Sequence, residues 1–273
     1  MPDILANFSQ ASMAHAVEAN LLAFFQHLHV WPRVELHDDP PYLWTLSDLP
    51  FPLFNSVVRA RLSDAEADAG IDARIRACGG RQVPMLWWTG PASTPADLGK
   101  RLERRGFVVE PAFGMAADLE SMAFLPDDRT ITVETIEDSH TLAIWSRVLC
   151  SAFGAPQTFG EAFAELVITM GLDAASPFRH FLGRVEGEPA ATCSVFFGAG
   201  VAGIYDVATL PDRRRRGLGA AVTRFAAAEA IARGYRMAIL HSSTTGAAMY
   251  RALGFDDVCL IGQHVWAPGD FRR

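Results

Sequence analysis

Lysine is almost missing from this chain of 273 residues: Lys100 is the only one, and arginine carries the rest of the basic charge. There is also no basic excess, with 24 Lys+Arg against 31 Asp+Glu and a formal net charge of −7. That balance gives no general attraction to nucleic acid or to an anionic membrane, so neither is expected as a partner. Cysteine is scarce, and Cys78, Cys150, Cys193 and Cys259 lie far apart without a C-x-x-C pair. A disulfide framework or a cysteine metal centre is therefore not expected, and the four read as small buried apolar residues in a reducing compartment. The N-terminus lacks a basic start before an apolar run, so no secretory signal is expected and the cytoplasm is the default location. No unbroken apolar run suits a membrane span either. Pro189–Tyr205 is uncharged, but Gly198, Gly200 and Gly203 interrupt it, and a buried β-hairpin explains it better.

With 50% apolar and 20% charged residues, the chain can bury a large core. Phe8–Leu28 has apolar residues at helical spacing and predicts an amphipathic opening helix. Val34–Leu62 is aromatic, β-branched and rich in proline, which predicts short strands between turns. Then come a helix over Ser63–Cys78, a strand over Val83–Trp88, a helix over Pro95–Arg105 and a strand over Phe113–Leu119. Pro126, Asp127 and Asp128 form a polar hinge that predicts a domain boundary between residues 126 and 127. Beyond it the pattern is a strand (Thr130–Thr135), helices (Ser139–Phe153 and Phe159–Met170), strands either side of Glu186-Gly187, and a strand over Ile204–Thr209. A helix (Leu218–Arg233), a strand (Arg236–His241), a helix (Thr245–Leu253) and a last strand (Val258–Trp266) complete a mixed α/β order. The halves end alike: Leu102-Glu103-Arg104-Arg105-Gly106-Phe107 answers Tyr250-Arg251-Ala252-Leu253-Gly254-Phe255, each after a strand and a helix. A tandem duplication explains the match.

The strongest chemical signal is the passage from strand to helix at Asp206-Val207-Ala208-Thr209-Leu210-Pro211-Asp212-Arg213-Arg214-Arg215-Arg216-Gly217-Leu218-Gly219-Ala220. Gly217 and Gly219 let backbone approach a ligand, and a helix opening at once aims unpaired N–H groups at one point. Such a turn is an anion site suited to a pyrophosphate, although it matches neither G-x-x-x-x-G-K-[ST] nor G-x-G-x-x-G. A bare basic turn contacting nucleic acid would explain four arginines but not the glycine spacing.

The run Arg214-x-x-Gly217-x-Gly219, together with Tyr250-x-x-x-Gly254-Phe255, resembles the GNAT superfamily of N-acetyltransferases, with the likeness extending over about Thr130–Trp266. The resemblance implies that acetyl-CoA is the cosubstrate and that no metal is needed. It places the pyrophosphate on the N–H groups of Arg215, Arg216, Gly217, Leu218, Gly219 and Ala220, with arginine side chains such as Arg214 at the rim. It places the pantetheine arm along Val207, Ala208 and Thr209. Tyr250 stands where the family often has a tyrosine that protonates the leaving thiolate. Ser243 replaces the asparagine many relatives carry seven residues earlier, and can still cap the helix or donate a hydrogen bond. No glutamate stands out as general base; Asp206, Tyr205, His241 or a water chain are the candidates. His140, His180 and His264 have no metal spacing and read as structural.

The first half has Leu102 in place of Tyr250 and Ser63-Asp64-Ala65-Glu66-Ala67-Asp68 in place of the arginine loop. Its carboxylates would repel a pyrophosphate, so residues 1–126 are expected to be a degenerate GNAT-like domain without coenzyme A, beside an acetyl-CoA-binding domain at 127–273. The expected function is transfer of acetyl from acetyl-CoA to a primary amine of a small molecule, by a monomer or homodimer. A coenzyme A-binding sensor or assembly module without turnover is the alternative, and Tyr250 separates the two, since binding alone needs no acid there.

Overall fold

The computed structural model describes residues 4–122 and 131–269; the expected hinge at Pro126–Asp128, and with it the domain boundary, lies outside the described residues. The first half holds α1 (Gln10–His27), β1 (Glu35–His37), β2 (Tyr42–Leu46), β3 (Ser56–Ala60), α2 (Asp64–Gly80), β4 (Met85–Thr89), α3 (Leu98–Glu103) and β5 (Val108–Asp118). The second holds β6 (Thr132–Thr135), α4 (Ser139–Phe153), α5 (Gln157–Met170), β7 (Phe178–Val185), β8 (Glu188–Gly198), β9 (Val201–Thr209), α6 (Leu218–Ala232), β10 (Met237–Ser242), α7 (Ala247–Ala252) and β11 (Asp256–Trp266).

Local chemistry sets most of these boundaries. Ser9 caps α1 by accepting from the Ser12 amide at 3.4 Å, and Asp138 caps α4 by accepting from the Thr141 amide at 2.8 Å. The hairpins β7–β8 and β8–β9 turn at Glu186-Gly187 and Ala199-Gly200, each a pair of residues at positive φ that matches the twist of the flanking strands. Several elements differ at their ends from the sequence reading, among them β9, which begins at Val201 rather than Ile204. α3 covers Leu98–Glu103 rather than Pro95–Arg105, the residues after Pro95 forming a turn in which the Leu98 amide donates to the Pro95 carbonyl. β5 begins at Val108 rather than Phe113, because β11 offers it a partner that far back, with Val265 opposite Val108.

The eleven strands form one mixed sheet in the order β1-β2-β3-β4-β11-β5-β10-β9-β8-β7-β6. Each half contributes its final strand to the other: β5 pairs with β10 and β11, and β11 pairs with β4 and β5. Parallel pairing occurs at β3/β4 and at β9/β10. Strand side chains alternate between faces. On one face α1, α4 and α5 cover a core running through both halves, with Phe24, Trp88, Trp145, Phe178 and Ile239 among its members. On the other, α6 and α7 cover the second half and α2 and α3 the first.

This exchange predicts that removing residues 1–125 destroys the second half. The cut takes β5 from between β10 and β11, leaving both with bare edges, and strips α1 from a shared apolar core. The truncated chain is expected in the insoluble fraction; a soluble fragment with a cooperative thermal transition would show that the exchanged strand is dispensable.

Candidate active site

β9 and β10 pair from Ala202/Ala238 to Ile204/Leu240 and then part, although they continue to Thr209 and Ser242. Where they part, Asp206 takes φ 54° and the register with β8 slips between Thr192 and Ser194. This bulge leaves the main chain of Tyr205–Thr209 without a strand partner on the β10 side, so its N–H and C=O groups can serve a ligand laid in the gap. Val207, Ala208 and Thr209 therefore line the opening between the strands.

The loop after β9 leads to an exposed helix N-terminus. Arg215 and Gly217 both have positive φ, 64° and 78°, and Gly217 occupies the N-cap of α6, where no side chain caps and no acid lies in the first turn. The first-turn N–H groups and the positive end of the helix dipole are thus unopposed. Gly219 keeps α6 close to α7: a Cβ there would lie 3.2 Å from the Met249 sulfur. Arg215 and Arg216 are exposed. Arg214 is exposed as well, but it is engaged with the protein, its Nη2 donating to the Ala152 carbonyl at 2.7 Å and its Nε to the Thr209 carbonyl at 3.3 Å, which ties the loop to the end of α4.

Tyr250 on α7 is buried, its ring edge-on to Phe255 at 5.9 Å, and burial, with the nearby Cys193, pushes its phenol well above the usual tyrosine range. Ser243 serves the turn into α7, its Oγ accepting from the Gly246 amide at 3.2 Å and lying 3.0 Å from the Thr245 hydroxyl.

The three residues expected as possible bases gather at the bulge in very different states. Burial raises the Asp206 carboxyl to about 6 against the opposing pull of the Ser194 hydroxyl, and its Oδ2 is buried without a partner. Burial lowers His241 to about 4, leaving it neutral, with Nε2 also unpartnered. Burial and the Asp206 charge push the Tyr205 phenol far up, and its hydroxyl donates to Asn20 Oδ1 at 2.7 Å.

Sequence reasoning did not find the residues that support this cluster. Asn20, the one polar member of the buried set of α1, donates to the Gly198 carbonyl at 2.9 Å while receiving Tyr205. Polarity on an apolar helical stripe was the available signal. Ser194 Oγ lies 2.8 Å from His180 Nδ1, and burial together with Arg179 lowers that histidine to about 3, so it is neutral. Trp88 reaches across from the first half to bring its ring 5.6 Å from that of His241.

The corresponding place in the first half is built oppositely. β3 and β4 also part, after Val57/Trp87, but the following helix α2 is sealed by a capping box in which Ser63 and Glu66 satisfy each other's backbone amides. Asp64 and Asp68 add negative charge and pair with Arg101, and Leu102 is fully buried.

Comparison with known proteins gives a family match in the second half and a shared fold. Residues 145–255 match the model of the acetyltransferase (GNAT) family. The fold is similar to that of a GCN5-related N-acetyltransferase from Kribbella flavida, with a TM-score of 0.68 at 18% identity over 92% of this chain and 96% of that one. It is also similar to a GCN5-related N-acetyltransferase from Sphaerobacter thermophilus, with a TM-score of 0.64 at 19% identity over 96% and 95% of the two chains. A tandem GNAT protein from the clavulanic acid biosynthesis pathway aligns with a TM-score of 0.57 at 12% identity, over 86% and 84%. No curated protein matches. At these identities the likeness is one of fold: a mixed α/β architecture on a single mixed sheet, as in GNAT acyltransferases. The family match covers residues 145–255, in the second half, and the solved structures share the fold of nearly the whole chain. Among the described residues no helix is long and apolar enough to cross a membrane, and no cluster of three or more His, Cys, Asp or Glu is placed to hold a metal.

Proposed function

We propose that the protein transfers the acetyl group of acetyl-CoA to a primary amine of a small molecule, using the gap between β9 and β10. The observation that carries this reading is the conjunction of an uncapped α6 N-terminus with a carboxylate whose Oδ2 is unpartnered at the bulge of the parted strands. The N–H groups from Arg215 to Ala220 would hold the pyrophosphate, and the main chain of Val207–Thr209, unpaired on the β10 side, the pantetheine arm. Acetyl-CoA supplies the acetyl group already activated as a thioester. The chain itself aligns the amine, keeps water out and moves protons.

Asp206 is the base in this reading. It is ionised at neutral pH yet held near the pH at which it works, and its free Oδ2 can take a proton from the bound ammonium, directly or through one water, which frees the neutral amine to attack the thioester carbonyl. Tyr205 is committed to Asn20, and His241 is too weakly basic to compete. Tyr250 keeps its proton and donates it to the leaving thiolate. Residues 1–126 form a degenerate GNAT-like domain without coenzyme A, paired with an acetyl-CoA-binding domain at 127–273; the sealed α2 terminus and the matched partings of parallel strands support that division.

The test is free-thiol release from acetyl-CoA across an amine library, with products weighed by mass spectrometry. Amine-dependent release with an N-acetyl product is expected. Tight acetyl-CoA binding without turnover on any amine would favour a sensor.

A further inference from the structure

A small cavity lies where β3 and β4 part in the first half, lined among others by Glu18, Arg61 and Trp88. It occupies the place that the β9/β10 gap holds in the second half, but α2, the helix that follows, opens on a Ser63–Glu66 capping box and carries the acids Asp64 and Glu66 in its first turn. A polyanion gains nothing there. The cavity's own polar groups define another kind of ligand.

Glu18 lines it from α1, beside Ala19, Leu22 and Trp88. Its two oxygens share a single protein donor, the Ala92 amide, at 3.1 and 3.2 Å. Gly90 makes the room, since a Cβ there would fall 2.5 Å from Glu18 Oε1. Half-buried against apolar walls with one N–H, the carboxylate keeps lone pairs that only a further donor can satisfy. Its pKa is raised by burial, while Arg61 and His15 oppose that shift through their charges.

Arg61 lines the same cavity and forms no ion pair with Glu18 among the described residues. Arg59 lines it too, but is already spent, its Nη2 donating to Asp38 at 2.6 Å and to the Tyr42 carbonyl at 2.7 Å. One carboxylate and one guanidinium thus face a common space without meeting. A molecule bearing both charges would satisfy both.

We propose that this cavity binds a small amino carboxylate, its ammonium on Glu18 and its carboxylate on Arg61, at a site separated from the catalytic gap by Trp88. The proposal does not depend on acetyl transfer, because the cavity walls come from α1, β3, β4 and β11.

The test is calorimetry on the full chain without acetyl-CoA, using ω-amino acids from glycine to 6-aminohexanoate, with alkylamines and alkanoates as controls. One length is expected to bind at one site per chain, more tightly than the amine or the acid of equal length. Glu18→Gln keeps an acceptor for the Ala92 amide and should weaken that amino acid by about tenfold or more. Arg61→Gln, at an exposed position, should weaken it similarly while leaving the simple amine's affinity unchanged. Acetyl-CoA affinity should be untouched by either change, which separates this claim from the catalytic one. Absence of binding across the series, or binding that survives both substitutions, overturns the proposal.

Discussion

Asp206→Asn is expected to lower kcat by roughly two to four powers of ten, the usual worth of a general base, with little change in the KM for acetyl-CoA. Asparagine keeps the size of the side chain and can still bond Ser194, but cannot accept the amine's proton. In the wild type, kcat/KM should rise with pH through about 6, where the buried carboxyl ionises, and the variant should lack that limb. Stability should move in the opposite direction. The folded-state pKa is raised from 3.8 to about 6, so the fold prefers the protonated acid. The resulting destabilisation is absent below about pH 4, grows as pH rises toward 6 and is complete above it. At neutral pH the variant should therefore be more stable by about 1–3 kcal/mol, from the worth of each pKa unit. A variant that melts lower and turns over normally would make Asp206 a structural residue.

Tyr250→Phe is the second large effect. Phenylalanine keeps the ring and its edge contact with Phe255, so folding and acetyl-CoA affinity should persist. Losing the proton donor should cost about a hundredfold in kcat. Because burial pushes the phenol upward, it stays protonated through the accessible range, and no alkaline limb from Tyr250 is expected in either protein. Turnover within a few-fold of wild type, on an acceptor whose chemical step limits the rate, would remove Tyr250 from the mechanism.

What the sequence revealed follows the range of the forces involved. The glycine loop at 213–219, the hairpin turn at Glu186-Gly187 and α4 at Ser139–Phe153 are written in neighbouring residues, and each was readable there. The ends of β5 were not, because its extra residues are ordered by β11, which follows far later in the chain. The exchange of final strands is hidden for the same reason: local periodicity carries no partner identity. At the site, the arginine loop was legible, yet the side-chain hydrogen bonds of Arg214 to carbonyls of α4 and β9 were not. Asn20 with Tyr205, and Ser194 with His180, gain meaning only as pairs across the fold.

The central claim is that acetyl-CoA has one home in this chain, at the α6 terminus and the β9/β10 gap. Calorimetric titration of the intact protein with acetyl-CoA tests it most directly, with Gly217→Val as the companion. A Cβ at 217 meets no protein atom within 4 Å, so a side chain there projects into open space in front of the helix N-terminus, while the φ of 78° disfavours any β-branched residue. The account predicts one site per chain in the wild type and none in the variant, with the variant still showing a cooperative melt. Two equivalent sites, or a single site unaffected by Gly217→Val, would contradict it.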